Sequence, residues 1–214
     1  MLTKHVIAVD MDGVLTDLMG FTQTAANAAG VDCDFANQKT HDFIFAPDFS
    51  QDAKRFLLDL WGRKSTWTDL PPTAILEPVR QLYEIGYDVV IVTSPWSNAG
   101  SVANSVEGKT AWLAKHGLGG VPVLFTKRVP RVPAPTMKLP PPKHYVRADI
   151  FIDDHPEICE ALVQAGTRSK RAPNVWMPER PWNEPVPGTW RVSEAAIAAE
   201  LVALKEHVLG LAVL

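Results

Sequence analysis

The sequence predicts an α/β protein: a doubly wound, parallel sheet with a small helical insertion after its first strand. Three observations lead there. Short apolar runs without polar alternation recur along the chain, as expected of strands buried on both faces. Helical patterns stand between them, several stopping at a glycine. Three of the runs end in acids or hydroxyls, which a parallel sheet would collect along one edge.

The elements follow in order. Val6–Val9 ("VIAV") reads as the first strand. Asp17–Ala29 and Asp52–Trp61 read as helices, with the aromatic loop "KTHDFIFAPDF" between them. Pro71-Pro72 marks a return to the core. Pro78–Ile85 is a helix closed by Gly86, followed by the strand Asp88–Thr93 and a helix over Ala103–His116 closed by Gly117. Val121–Phe125 and Asp149–Ile152 are further strands, Pro156–Ala165 a helix closed by Gly166, and Asn174–Met177 a fifth strand. Strand–helix alternation of this kind implies a Rossmann-like core made of residues 1–16 and 72–214, with residues 17–71 as a helical cap.

Composition narrows the function classes. The chain has 214 residues and is 46% hydrophobic, enough for one core plus an insertion. Its net charge of −3 argues against a nucleic-acid binder, which is usually basic. The two cysteines, Cys33 and Cys159, are far apart and outside any CxxC pattern. That argues against a disulfide framework or zinc site and makes a reducing cytoplasm the default location. Met1–Lys4 leaves no room for a secretory leader before the first strand. Ala195–Leu214 is apolar but interrupted by Glu200, Lys205, Glu206 and His207, so it reads as a packed amphipathic helix and not a membrane span. Oligomeric state is left open, a homodimer included.

The chemistry gathers at the strand ends. The first strand ends in Asp10-Met11-Asp12, the second in Thr93-Ser94, the fourth in Asp153-Asp154. Carboxylates crowded together raise one another's pKa unless a cation offsets the repulsion. An all-oxygen donor set suits Mg²⁺, which takes one or two carboxylates plus phosphate oxygens and water. Asp10 could then attack phosphorus to give an aspartyl-phosphate, and Asp12 could protonate the leaving oxygen and later activate water. Gly13 allows a close backbone approach at the turn. Any one of these acids alone would read as a turn or capping residue; the set converging on one edge does not.

These stretches also carry a resemblance. "DMDGVLTD" resembles the first motif of the haloacid dehalogenase-type phosphohydrolase superfamily, "IVTSPWS" its second, "FIDDHP" its fourth, and "GKTAWLAKH" supplies lysines for its third. Within that superfamily the chain is most similar to the 5'(3')-deoxyribonucleotidases, through "DMDGVL.D", "TSP", "K.AW...H" and "IDD.P". "RPWN", Arg180–Asn183, is similar to a Pro-aromatic-Asn segment of bacterial relatives. The resemblance implies Asp10 as nucleophile and Mg²⁺ ligand, and Asp12 as general acid/base ligating through its carbonyl. Thr93 and Ser94 become donors to the phosphoryl oxygens. Lys109 becomes the lysine that neutralises phosphoryl charge and orients Asp10, with Lys115 as fallback, and Asp153 and Asp154 complete the metal site. Lys127, with Arg128 as alternative, stands where the family has a phosphate-contacting Arg. His155 replaces a family Arg after the acidic pair and reads as a turn residue.

Two regions remain. Gly108–Ala148 contains no acidic residue and eight lysines and arginines, Lys143 among them, and is dense in proline from Pro130 to Pro142. It reads as a solvated surface loop or a positive rim that steers a phosphate, with contact to a polynucleotide backbone as the less favoured reading. The cap is crowded with Phe43, Phe45, Phe49, Trp61 and Trp67. Most of these would form its own core, but Phe43, Phe45 and Trp67, with Trp96 after the second motif, are candidates for stacking on a nucleobase, each stack being worth roughly 1–3 kcal/mol. His41 and Asp42 could add polar contacts. The expectation is a Mg²⁺-dependent phosphomonoesterase acting on nucleoside monophosphates. The alternatives are the same chemistry on another small ester such as a sugar phosphate, a phosphotransferase, or a silent phosphate-binding module.

Overall fold

The computed structural model describes residues 5–39, 44, 49–96, 101–126, 143, 146–167 and 173–211. Its centre is β1 (Val6–Val9), whose residues Ile7 to Val9 have no exposed surface. Beside it, in parallel register, run β2 (Asp88–Thr93) on one side and β4 (Ile150–Ile152) on the other. β3 (Val123–Phe125) extends the sheet beyond β2, and β5 (Asn174–Pro178) and β6 (Thr189–Val192) beyond β4. The order β3-β2-β1-β4-β5-β6, parallel throughout, is the expected doubly wound sheet. The chain winds outward in both directions from β1 and β4, so the crevice of such a sheet opens between the carboxyl ends of these two strands.

Alternation along β1 divides the core. Ile7 and Val9 join Ile91, Ile150 and Ile152 in one apolar cluster with Leu82, Trp112 and Leu201. Ala8 faces the other way with Val92 and Phe151, against Cys159 and Leu162 of α6 (Pro156–Thr167).

The helices α1 (Leu18–Ala29), α2 (Gln51–Gly62) and α3 (Lys64–Asp69) occupy the chain between β1 and α4 (Leu76–Glu84). Entry and exit run side by side: Asp17 N donates to Pro71 O at 2.9 Å, and Thr73 N to Leu15 O at 3.0 Å. Asp17 caps α1 by accepting from Gly20 N at 2.9 Å. α3 and β6 are the two elements the sequence did not announce. The α3 segment, "KSTWTD", is poor in helix formers and is held by tertiary contacts: Trp67 Nε1 donates to Trp61 O at 2.9 Å, and Thr66 Oγ1 to Leu60 O. β6 is an edge strand, half-buried and paired only to β5 among the described strands, so its apolar pattern is weak. The C-terminal helix α7 (Glu194–Leu211) buries Ile197 and Leu201 on the sheet, and no helix among the described residues is long and apolar enough to cross a membrane.

The inserted helices are tied to α5 (Val102–Lys115). Trp112 Nε1 donates to Leu70 O at 2.7 Å, and Asn104 Nδ2 to Gly62 O at 2.9 Å. At the closest approach a Cβ on Gly108 would lie 2.6 Å from Trp67 Cβ and 2.7 Å from Lys64 O. Gly108→Ala therefore trades a helix-propensity gain of about 1 kcal/mol for overpacking of about 1–3 kcal/mol. We expect a net loss of stability in urea unfolding; an unchanged or higher midpoint would mean that α3 and α5 separate without cost.

Candidate active site

Two backbone turns deliver the acids. β1 runs into Asp10, whose N donates to Ile152 O at 2.9 Å, so the ends of β1 and β4 are locked together where the acids begin. The following turn is closed by Leu15 N and Thr16 N on Met11 O, and it needs Gly13 at φ +76°. Gly13 is required for a second reason: a Cβ there would lie 2.3 Å from Asp154 Oδ2. β4 ends in Asp153, which is fully buried; its Oδ1 accepts from His155 N at 3.0 Å at the start of α6. His155 is thus a turn residue, as expected.

Carboxylate oxygens of Asp10, Asp153 and Asp154 lie within 4.8 Å of one another in this buried corner. Lys143 Nζ reaches into it, 2.9 Å from Asp10 Oδ1 and 2.8 Å from Asp153 Oδ2. The Asp10 carboxyl is raised to about 7: burial is the largest cause, Lys143 opposes it, and Asp153 and Asp12 add to it. Burial raises Asp153 as well, against the pull of Lys143. Burial alone would lower the Lys143 ammonium, but Asp10 and Asp153 outweigh it and hold it above the ordinary lysine range. Three buried carboxylates converge here with the Lys143 ammonium, and the donors they offer are all hard oxygens. Both features fit a divalent cation such as Mg²⁺.

The side chain of Asp12 points elsewhere. Lys109, fully buried, donates to Asp12 Oδ2, to Thr93 Oγ1 at 2.9 Å and to Ser94 O at 2.7 Å. All three ammonium N–H bonds are used. Asp12 Oδ1 is buried with no hydrogen-bond partner among the described residues. Trp67 lies over the same lysine, its ring centroid 4.9 Å from Nζ. Thr93 is fully buried beneath the site, whereas Ser94 is half-buried, its Oγ 3.0 Å from Thr126 Oγ1.

Several expectations change. Asp10, Asp153 and Asp154 come together as foreseen, and Asp12 and the Thr93-Ser94 pair adjoin them. Lys109 lies in the site but is not the cation on Asp10. That is Lys143, read from sequence only as one charge of a basic, solvated stretch. Its one usable signal was its place a short way ahead of the acidic pair, in a segment without any acid. Trp67 is only 2% exposed and engaged with Trp61 and Lys109, so it has no face left for a base. Trp96 remains half-buried, edge-on to Trp61 at 4.9 Å between centroids, and Phe49 packs on Phe35 inside the insertion. His41, Asp42, Phe43, Phe45, Lys127 and Arg128 fall outside the described residues, as does most of the proline-rich stretch.

Sequence reasoning also gave no role to the turn after β5. There Arg180 Nε donates to Gly13 O at 2.9 Å, Trp182 Nε1 to Asp154 Oδ2 at 3.0 Å, and Asn183 Nδ2 to Asp154 O at 3.0 Å.

The profile of the family described as "5' nucleotidase, deoxy (Pyrimidine), cytosolic type C protein" matches residues 4–205. No curated protein matches the chain by sequence. Among solved structures, a dehalogenase is similar at 14% identity and TM-score 0.49, over 94% of this chain and 98% of that one. A haloacid dehalogenase-like family hydrolase from Xanthomonas campestris is similar at 11% identity and TM-score 0.48, over 95% and 96%. A D,D-heptose 1,7-bisphosphate phosphatase from Burkholderia thailandensis is similar at 13% identity and TM-score 0.44, over 93% and 99%. Likenesses this distant speak to neither activity nor substrate.

The raised Asp10 carboxyl has a consequence for stability. Its folded pKa, about 7, lies above the ordinary 3.8, so between those values the folded state binds more protons than the unfolded one. Stability therefore falls as pH rises through that window. The melting temperature of the metal-free protein is expected to decline from pH 5 to 7.5, with a shallower decline in Asp10→Asn. A flat wild-type profile would contradict the assignment.

Proposed function

The chain belongs to this nucleotidase family and is a phosphoric monoester hydrolase; from that premise we propose that it dephosphorylates nucleoside monophosphates through an aspartyl-phosphate on Asp10, with Mg²⁺ as cofactor. The observation that carries the reading is the division of the site into two lysine-held halves, Lys143 on Asp10 and Lys109 on Asp12.

In this reading Asp10 and Asp154 hold the metal, with Asp153 and the Asp12 carbonyl completing its surroundings. The cation would supply charge neutralisation between the nucleophile and the phosphate dianion. The remaining steps are those of the chain's own side chains. Lys143, paired to Asp10 Oδ1, favours the ionised form of a carboxyl that burial alone would keep protonated, and so keeps it nucleophilic. An Asp10 carboxylate oxygen bonds to phosphorus as the ester oxygen leaves. Asp12 gives its proton to that oxygen; then, as a carboxylate, it takes a proton from the water that hydrolyses the aspartyl-phosphate. Its Oδ1, free of other hydrogen bonds among the described residues, is the oxygen suited to this shuttle. Lys109 has no N–H left for phosphate, so its role is to fix Asp12 and Thr93 while its charge acts through space. Ser94, more exposed than Thr93, is the better placed donor to the phosphoryl oxygens.

Residues 17–71 are read as the cap over this edge, and residues 1–16 and 72–214 as the core. A cytoplasmic location belongs to the same proposal, in line with the family's description as cytosolic.

Phosphate release from a panel of nucleotides and sugar phosphates tests the reading. Nucleoside monophosphates should be turned over with Mg²⁺ and not with excess chelator. Equal or better turnover of sugar phosphates would remove the nucleotide assignment. Asp10→Asn should lower kcat at least about a thousandfold, since removing a nucleophile disables the catalytic unit. Lys109→Met, which loses a preorganised charge, should lower it roughly 100-fold. Wild-type activity in Asp10→Asn would end the covalent mechanism.

A further inference from the structure

The geometry points to Trp182 as a positioning residue for the metal site, acting through Asp154; the inference rests on the reading of Asp154 as a metal ligand. Asp154 is the terminal acid of its pair and is 3% exposed. Its carboxylate has the backbone of Gly13 on one side, so close that a Cβ there would lie 2.3 Å from Oδ2. On the same oxygen the indole N–H of Trp182 donates at 3.0 Å. With one oxygen held by a directional donor and no room to swing towards Gly13, the plane of the carboxylate is set before any cation arrives.

The donor is itself anchored by the turn that carries it. Arg180 N donates to Asn183 Oδ1 at 3.1 Å, and Asn183 N to Arg180 O at 3.2 Å, so the turn closes on itself. Asn183, 2% exposed, donates to Asp154 O at 3.0 Å and to Pro178 O at 2.8 Å. Arg191 of β6 clamps the same asparagine at Oδ1 and at its carbonyl, at 3.0 and 2.9 Å. Arg180 spans from Glu194 at the start of α7 to the Gly13 carbonyl, beside Asp12. One short turn from the far half of the sheet thus grips both acid-bearing loops, the Asp12-Gly13 turn by its arginine and Asp154 by its tryptophan and asparagine. No residue of the turn contacts Asp10 or either active-site lysine among the described hydrogen bonds, so its effect on chemistry runs through the orientation of Asp154. Partners of this kind, donating to a ligating carboxylate, typically alter metal affinity 10–100-fold when removed.

Trp182→Phe keeps an aromatic ring at the position but removes the pyrrole half of the indole and with it the N–H. Calorimetric titration of the metal-free proteins with Mg²⁺, at a temperature where both are folded, should show a Kd raised about 10-fold in the variant and a kcat near wild type at saturating Mg²⁺. In the wild type, at least one of the seven tryptophan indole N–H resonances should move during the same titration, which tests the contact even if the variant folds poorly. A variant Kd equal to wild type, or indole resonances that stay still while Mg²⁺ binds, overturns the role of Trp182 alone. Wild-type protein that binds no Mg²⁺ overturns the metal reading and this inference with it.

Discussion

The ion pairs of Lys143 with Asp10 and Asp153 are the constraint on which the rest of this structure depends. Carboxylates clustered within 4.8 Å in a dry corner are costly unless cations offset them, and desolvation is what lifts Asp10 so far above its ordinary value. The sheet order follows from that requirement as much as from hydrophobicity. β1 and β4 must be neighbours, with their carboxyl ends level, for Asp10 and Asp153 to share one ammonium. Lys143 itself is buried at this corner, although nothing in its local composition would bury it.

The second lysine does a different job, and the difference is set by hydrogen-bond capacity. Lys109 spends all three donors on Asp12, Thr93 and Ser94 O, joining the ends of β1 and β2 as Lys143 joins those of β1 and β4. Trp67 covers it from the insertion. The inserted helices therefore take part in the geometry of Asp12, because α3 is pressed onto α5 at Gly108, next to Lys109. Rigid attachment there leaves the acid-bearing turn sensitive to how α3 packs, and the Trp112–Leu70 and Asn104–Gly62 hydrogen bonds reinforce the same joint.

Fold and site were readable to different depths. Buried parallel strands announce themselves as unbroken apolar runs, and helices by their spacing and closing glycines, so β1, β2, β4, β5 and most helices stood out. α3 and β6 did not, since one is held by Trp67 and the other is half exposed at the sheet edge. The acids were found because strand ends are a local feature and the topology rule gathers them. The aromatic residues misled: Trp67 in a loop-like stretch looks available to a ligand, and only its packing against Trp61 and Lys109 removes it. Arg180, Trp182 and Asn183 carried a family likeness but no role, because their partners are Gly13 and Asp154, both distant in sequence.

Sequence alone determined the fold class, the order of all strands and helices but α3 and β6, and the placement of Asp10, Asp12, Thr93, Ser94, Asp153 and Asp154 at strand ends along one edge. These depend on periodicity and on strand termini, which are properties of neighbouring residues. Tertiary structure alone decided which lysine answers which carboxylate, that Trp67 serves the core, and that the turn at Trp182 braces Asp154. Those are pairings across the whole chain between flexible or planar side chains, and only the folded backbone fixes the few ångströms on which an ion pair or a hydrogen bond depends.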